Sequence, residues 1–131
     1  MSADLAPSIF EQVGGQIFFD ALVERFYAGV ATDTKLLALY PTPEDLTDAK
    51  HHLALFLAQY WGGPTAYLDL RGPPRLRMRH APFEIRVDVR DRWLMHMGEA
   101  LRAMDIPSEE LREEMESYFA MAADSLRNQL D

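Results

Sequence analysis

No cysteine occurs in this sequence. Disulfides and thiolate metal sites are therefore excluded, and any metal has to be held by histidine or carboxylate side chains. No run of about 18 apolar residues is present, so no membrane span is expected. Met1 to Pro7 lacks a basic stretch followed by an apolar one, so no signal peptide is expected. Basic residues are outnumbered, 13 Lys and Arg against 21 Asp and Glu, giving a formal net charge of −8 and a pI near 4.9. That balance argues against nucleic acid and anionic membrane surfaces as partners. Phosphate loops, dinucleotide fingerprints, HExxH pairs and nucleophile elbows are all missing. The four histidines do not sit at zinc spacing, and no glutamate forms the Glu-x-x-His pair of a di-metal bundle. The composition suits a cytoplasmic protein of one domain covering residues 1–131.

What is present reads as helix. Ser8 and Glu11 form a capping box for a short first helix that Gly14-Gly15 ends. Phe19, Leu22, Val23, Phe26, Tyr27 and Val30 then recur at helical spacing. Thr32-Asp33-Thr34 can cap a short helix running to about Tyr40. Thr42-Pro43-Glu44-Asp45 predicts the start of another over 44–61, with Leu46, Ala49, Leu53, Phe56, Leu57 and Tyr60 on its inner side. His51 and His52 lie off that stripe and read as solvated. A loop rich in glycine and proline follows, with one helical turn near Tyr67. Asp88 can cap a helix over 88–104 that buries Trp93, Met97, Ala100, Leu101 and Met104. Pro107-Ser108-Glu109-Glu110 starts the last helix, to about residue 128. Ile85 to Val89 alternates but is too short to be a convincing strand. The expectation is an all-α fold with four long helices packed in antiparallel pairs or crossing at larger angles.

One stretch carries the chemistry: Arg75-Leu76-Arg77-Met78-Arg79-His80-Ala81-Pro82-Phe83. Leu76 and His80 are four apart and share one helix face, with Arg79 beside them. An imidazole backed by an apolar residue and flanked by a guanidinium can hold a flat, metal-centred, dianionic ligand such as haem. Equally, a lone histidine near a helix end is commonly no more than a favourable charge on the macrodipole. Tyr27, Tyr40 and Trp93 sit at inward positions on different elements. Each could tie its polar tip to a carbonyl, or the three could converge on one pocket.

Longer blocks decide between these readings. Val13-Gly14-Gly15, Arg25-Phe26-Tyr27, Leu39-Tyr40-Pro41, Gln59-Tyr60-Trp61-Gly62-Gly63-Pro64, the segment 74–83 and Arg92-Trp93 together resemble the truncated haemoglobins of the second group, the bacterial O-type, nearly end to end. The resemblance implies a two-over-two helical sandwich around haem b. His80 would be the axial ligand to iron, and Leu53, Tyr67, Leu76, Phe83, Trp93 and Met97 would contact the haem, with Arg79 on a propionate. Tyr27 would donate to the ligand on the distal side, Tyr40 and Trp93 would complete the network, and Leu53 would cover that side. Ala49 stands where many globins have a distal histidine, and His52 where some relatives have an arginine. O₂ and other diatomic ligands are the expected partners, together with an unidentified reductase, and a homodimer is compatible. Slow ligand release is expected from such a network. Peroxide reduction or nitric oxide dioxygenation at the same site is the enzymatic alternative.

Overall fold

The computed structural model describes residues 6–129, and among these the regular structure is entirely helical. The elements are α1 (Ile9–Val13), α2 (Gln16–Val30), α3 (Thr34–Leu37), α4 (Thr47–Tyr60), α5 (Ala66–Arg71), α6 (Leu76–His80), α7 (Val87–Arg102) and α8 (Glu109–Ser125). Helix α2 packs on α4 and on α7, and α7 packs on α8. Two helix pairs are thereby joined through α2 and α7.

The apolar stripe of α2 explains this central role. Phe19, Leu22, Phe26 and Val30 are wholly buried, spaced by three and four residues along one face. Each such side chain contributes about 1.5–3 kcal/mol by leaving water. Met97, Leu101, Met115 and Phe119 meet the stripe from α7 and α8. Aromatic rings close one end of this core. Phe10 stacks on Phe19 at 6.0 Å, Phe19 stacks on Trp61 at 5.9 Å, and Trp61 meets Phe119 edge-on at 5.5 Å.

The glycines after Trp61 exist for this closure. Phe10 N–H donates to the Trp61 carbonyl at 2.9 Å, so α1 lies directly against the end of α4. A Cβ on Gly63 would come within 2.6 Å of the Phe10 ring and 2.8 Å of the Ala58 carbonyl. Gly62 is held at φ +98°, where a Cβ would meet Ser8 at 2.6 Å. No larger residue fits at either position without moving α1.

Several helix boundaries differ from those expected. The Ser8–Glu11 capping box is present in both directions. Helix α4, however, begins at Thr47 rather than residue 44. Asp45 accepts from Thr47 N–H at 3.0 Å, and its own N–H donates to the Thr42 carbonyl at 3.0 Å, so residues 42–47 form a turn before the helix. Helix α3 ends at Leu37, short of Tyr40. Asp88 does not cap α7: Arg86 occupies that position, and the Asp88 carboxylate pairs with Lys35 of α3. Tyr60 points outward, 51% exposed, with its ring stacked on Tyr118 at 4.1 Å. Helix α8 stops at Ser125, which frees Asn128 for a separate task.

Candidate functional site

A cavity of about 630 Å³ opens between α4, α5, α6, α7 and α8, a size that suits a large cofactor. Its lining includes Tyr27, Tyr40, Ala49, Leu53, Tyr67, Leu76, Arg79, His80, Phe83 and Trp93. The remaining expected contact, Met97, is not among them. It is 1% exposed, and it faces Leu94, Leu101 and Phe119 between α7 and α8. Met97 follows Trp93 by four residues, but the turn of α7 between them carries the stripe out of the cavity and into the core.

His80 is fixed by its own helix. Its Nδ1 lies 2.7 Å from the Leu76 carbonyl. A carbonyl only accepts, so Nδ1 carries the proton, and in the neutral ring Nε2 keeps a free lone pair. A histidine presented this way, with the second nitrogen oriented by a backbone acceptor, has the form of a metal ligand. The four-residue spacing of Leu76 and His80 thus sets the tautomer as well as the shared face.

Asn128 holds the backbone beyond His80. Its amide donates to the Phe83 carbonyl at 2.7 Å and the His80 carbonyl at 3.3 Å, while its side-chain oxygen accepts from Ile85 N–H at 2.8 Å. Asn128 N–H also donates to the Ile85 carbonyl at 3.0 Å. Nothing in its local sequence signals this role, because its partners lie more than 40 residues earlier.

Arg79 lines the cavity, and its guanidinium is also held by the loop before α6. Its Nε donates to the Pro74 carbonyl at 2.7 Å, and Nη2 to the carbonyls of Arg71 at 2.8 Å and Pro73 at 3.3 Å. Its Nε and Nη2 thus brace the preceding loop. Arg71, at the end of α5, brings a second guanidinium to the cavity lining. Its Nη1 lies 2.9 Å from His52 Nδ1, and since a guanidinium only donates, His52 accepts there. Burial lowers the His52 pKa, and the Arg71 charge lowers it further, so the ring is neutral at pH 7. His52 is half-buried and lines the cavity, contrary to its reading as a solvated residue.

Three polar aromatics converge as the second possibility required. The Tyr27 and Tyr40 rings meet edge-on at 5.6 Å, and Phe26 wedges between α2 and α7 with its ring 5.0 Å from Trp93. The polar tips of Tyr27 and Trp93 are the neighbours that act on the Tyr40 hydroxyl. Burial raises the Tyr27 pKa far above the phenol range, and the neighbouring Tyr40 raises it further. Burial also raises that of Tyr40, while Tyr27 and Trp93 act in the opposite direction. Both hydroxyls are thus neutral across the working pH range, and each keeps a proton that it can donate.

Comparison with known proteins agrees with this geometry. The sequence pattern of the bacterial-like globin family matches residues 8–127. The chain belongs to that family, as a group II truncated haemoglobin. It is 34% identical to the group 2 truncated hemoglobin YjbI of Bacillus subtilis, over 93% of this chain and 89% of that protein. Its fold matches the hemoglobin of the thermophilic phototroph Chloroflexus aurantiacus with a TM-score of 0.90 at 48% identity, covering 95% of this chain and all of that one. The group II truncated hemoglobin of Bacillus anthracis superposes with a TM-score of 0.89 at 32% identity, over 96% of this chain and 100% of the other. The two helix pairs are the two-over-two sandwich of these globins. Membership brings haem b as the prosthetic group and binding of small diatomic ligands as the activity. The residues present fit haem: a histidine with one nitrogen free, apolar walls from Leu53, Leu76 and Phe83, and Arg71 with His52 as an anion partner.

Proposed function

We propose that this globin binds dioxygen reversibly, with His80 Nε2 holding the haem iron and the Tyr40 hydroxyl donating to the bound gas. Haem supplies the iron and its open coordination position. The protein supplies orientation and polarity. In this reading Tyr27 and Trp93 act through Tyr40, donating to its oxygen and so directing its proton toward the ligand. The observation carrying it is that Tyr27, Tyr40 and Trp93, from three separate parts of the chain, line the same cavity as His80, with the Tyr27 and Tyr40 rings edge-on at 5.6 Å. The reading moves to Tyr40 the direct contact that the family resemblance assigned to Tyr27. Ala49 brings only a methyl group to the cavity, so no side chain there competes for the gas.

A neutral hydrogen bond is worth about 0.5–1.5 kcal/mol net, and more where water is excluded. One well-directed donor therefore slows ligand release by about tenfold, since about 1.4 kcal/mol is a factor of ten. Slow release suits scavenging, sensing or chemistry on the ligand better than bulk delivery. A reductase that keeps the iron ferrous belongs to the same reading. Stopped-flow O₂ dissociation from Tyr40→Phe and Tyr27→Phe tests it. Tyr40→Phe is expected to accelerate release about tenfold, and Tyr27→Phe by less. Equal rates for Tyr40→Phe and the parent would refute the assignment.

A further inference from the structure

Behind the cavity, and not part of its lining, lies a second polar cluster. Asp33 and His96 are each only 8% exposed in the midst of apolar packing. Asp33 accepts three hydrogen bonds. Leu36 N–H and Arg92 Nη1 reach Oδ1 at 3.2 and 3.0 Å, and His96 Nε2 reaches Oδ2 at 2.9 Å. The first of these makes Asp33 the N-cap of α3. The imidazole is pressed flush against α2: a Cβ on Gly29 would lie 2.5 Å from His96 Nδ1. The other charged groups where α3 meets α7 are Lys35 and Asp88, which pair with each other. Asp33 is thus the carboxylate that answers Arg92 and His96.

Position along the chain gives this cluster a purpose. Arg92 and His96 are one turn apart on α7, and Trp93 lies between them. Arg92 and His96 hold Asp33, where α3 begins. Trp93 shares the cavity wall with Tyr40, just past the end of α3. Both ends of the 33–40 segment are therefore moored to one turn of α7. Between these ends the segment is held by the buried Leu36 and by the exposed Lys35–Asp88 pair, so Asp33 is its buried polar anchor.

We infer that Asp33 and His96 are positioning residues for ligand binding: they lock α3 against α7 so that the Tyr40 oxygen stays within reach of Tyr27 and Trp93. The inference rests on the reading of Tyr40 as ligand donor, and the experiment separates the two. In the haem-loaded protein, O₂ dissociation and the infrared C–O stretch of the carbon monoxide complex are measured for His96→Phe, Asp33→Asn and Tyr40→Phe, and for His96→Phe combined with Tyr40→Phe. The stretch reports the polarity that the ligand meets, which general loss of stability would not shift.

His96→Phe is expected to speed O₂ release about three- to tenfold, up to the worth of one hydrogen bond, and to move the stretch toward the Tyr40→Phe value. Asp33→Asn keeps the shape and a capping oxygen, so a smaller change in the same direction is expected. It also serves as the deciding variant should His96→Phe fail to fold. The double variant should release O₂ no faster than Tyr40→Phe alone, because residues that act through one group are not additive. Unchanged rates and stretch in folded His96→Phe and Asp33→Asn, with Tyr40→Phe altered, would overturn the inference alone. Multiplying effects in the double variant would do the same. No effect of Tyr40→Phe would overturn both readings.

Discussion

The two sides of the haem site are built in opposite ways. On the proximal side one short segment does nearly everything. Helix α6 and the loop after it bring Leu76, His80 and Phe83 to the cavity, and the histidine is oriented by a carbonyl of its own helix. The proposed distal side draws Tyr27 from α2, Tyr40 from beyond α3, Ala49 and Leu53 from α4, and Trp93 from α7, all of which line the cavity. No two of its three polar aromatics are close in sequence. A local device needs only a latch from outside, which Asn128 provides. A distributed device needs the helices themselves held in register, which is the task of α2 packing and of the Asp33–His96–Arg92 cluster. Damage to the proximal side should therefore show as loss of cofactor, and damage to the distal side as altered ligand kinetics with cofactor retained.

Acid unfolding offers the largest separation. Asp33 is held at a pKa of about 2 against an ordinary 3.8, chiefly by its bond from His96. A carboxylate depressed on folding adds stability that is complete above its unfolded value and is lost as pH falls through the folded one. Asp33 should accordingly contribute about 2 kcal/mol at neutral pH, lost between about pH 4 and pH 2. Denaturant titrations from pH 7 to pH 2 should show Asp33→Asn less stable at neutrality and the gap to the parent closing over that window. A gap that stays constant would detach the cluster from the acid limb. Next in size is Asn128→Ala. Removing its bonds to the proximal loop is expected to cost about 1–2 kcal/mol and to speed haem transfer to apomyoglobin, with O₂ release unchanged. An altered O₂ rate at normal haem retention would blur the division between the two sides.

Much of the proximal side was legible from the chain itself, for the same reason that it is local. The spacing of Leu76 and His80 and the run through Phe83 lie within one helix and its exit. The stripes of α2 and α8 and the Ser8–Glu11 box are likewise short-range patterns. The shortfalls all involve distance. The commitment of Arg79 to the carbonyls of residues 71, 73 and 74 depends on how the loop folds back. The exit of Met97 from the cavity depends on where α7 crosses α8. His96 and Asp33 stand 63 residues apart, so their pairing had no local trace. One signal was available: a histidine inside the apolar stripe of α7, between Trp93 and Met97, has to find a buried partner.

Smaller effects sharpen the same contrast. Trp93→Phe keeps an aromatic ring but removes the N–H proposed to donate to Tyr40, and should speed O₂ release by less than Tyr40→Phe does, about two- to fivefold by stopped flow. An off-rate identical to the parent would remove the indole from the network. Smallest is Arg75→Gly. Arg75 starts α6 at φ +43°, a conformation that glycine adopts without steric cost. Thermal denaturation should show that variant no less stable than the parent and up to about 1 kcal/mol more so, with ligand kinetics untouched. A clear destabilisation would mean that the arginine side chain, rather than the backbone shape, matters there.

The claim beneath all of this is that the Nε2 of His80 holds the haem iron, and the visible and resonance Raman spectra of ferrous His80→Gly test it most directly. The account predicts that the five-coordinate spectrum and the iron–histidine stretch disappear, and that added imidazole restores them. A variant that keeps both without imidazole would contradict it.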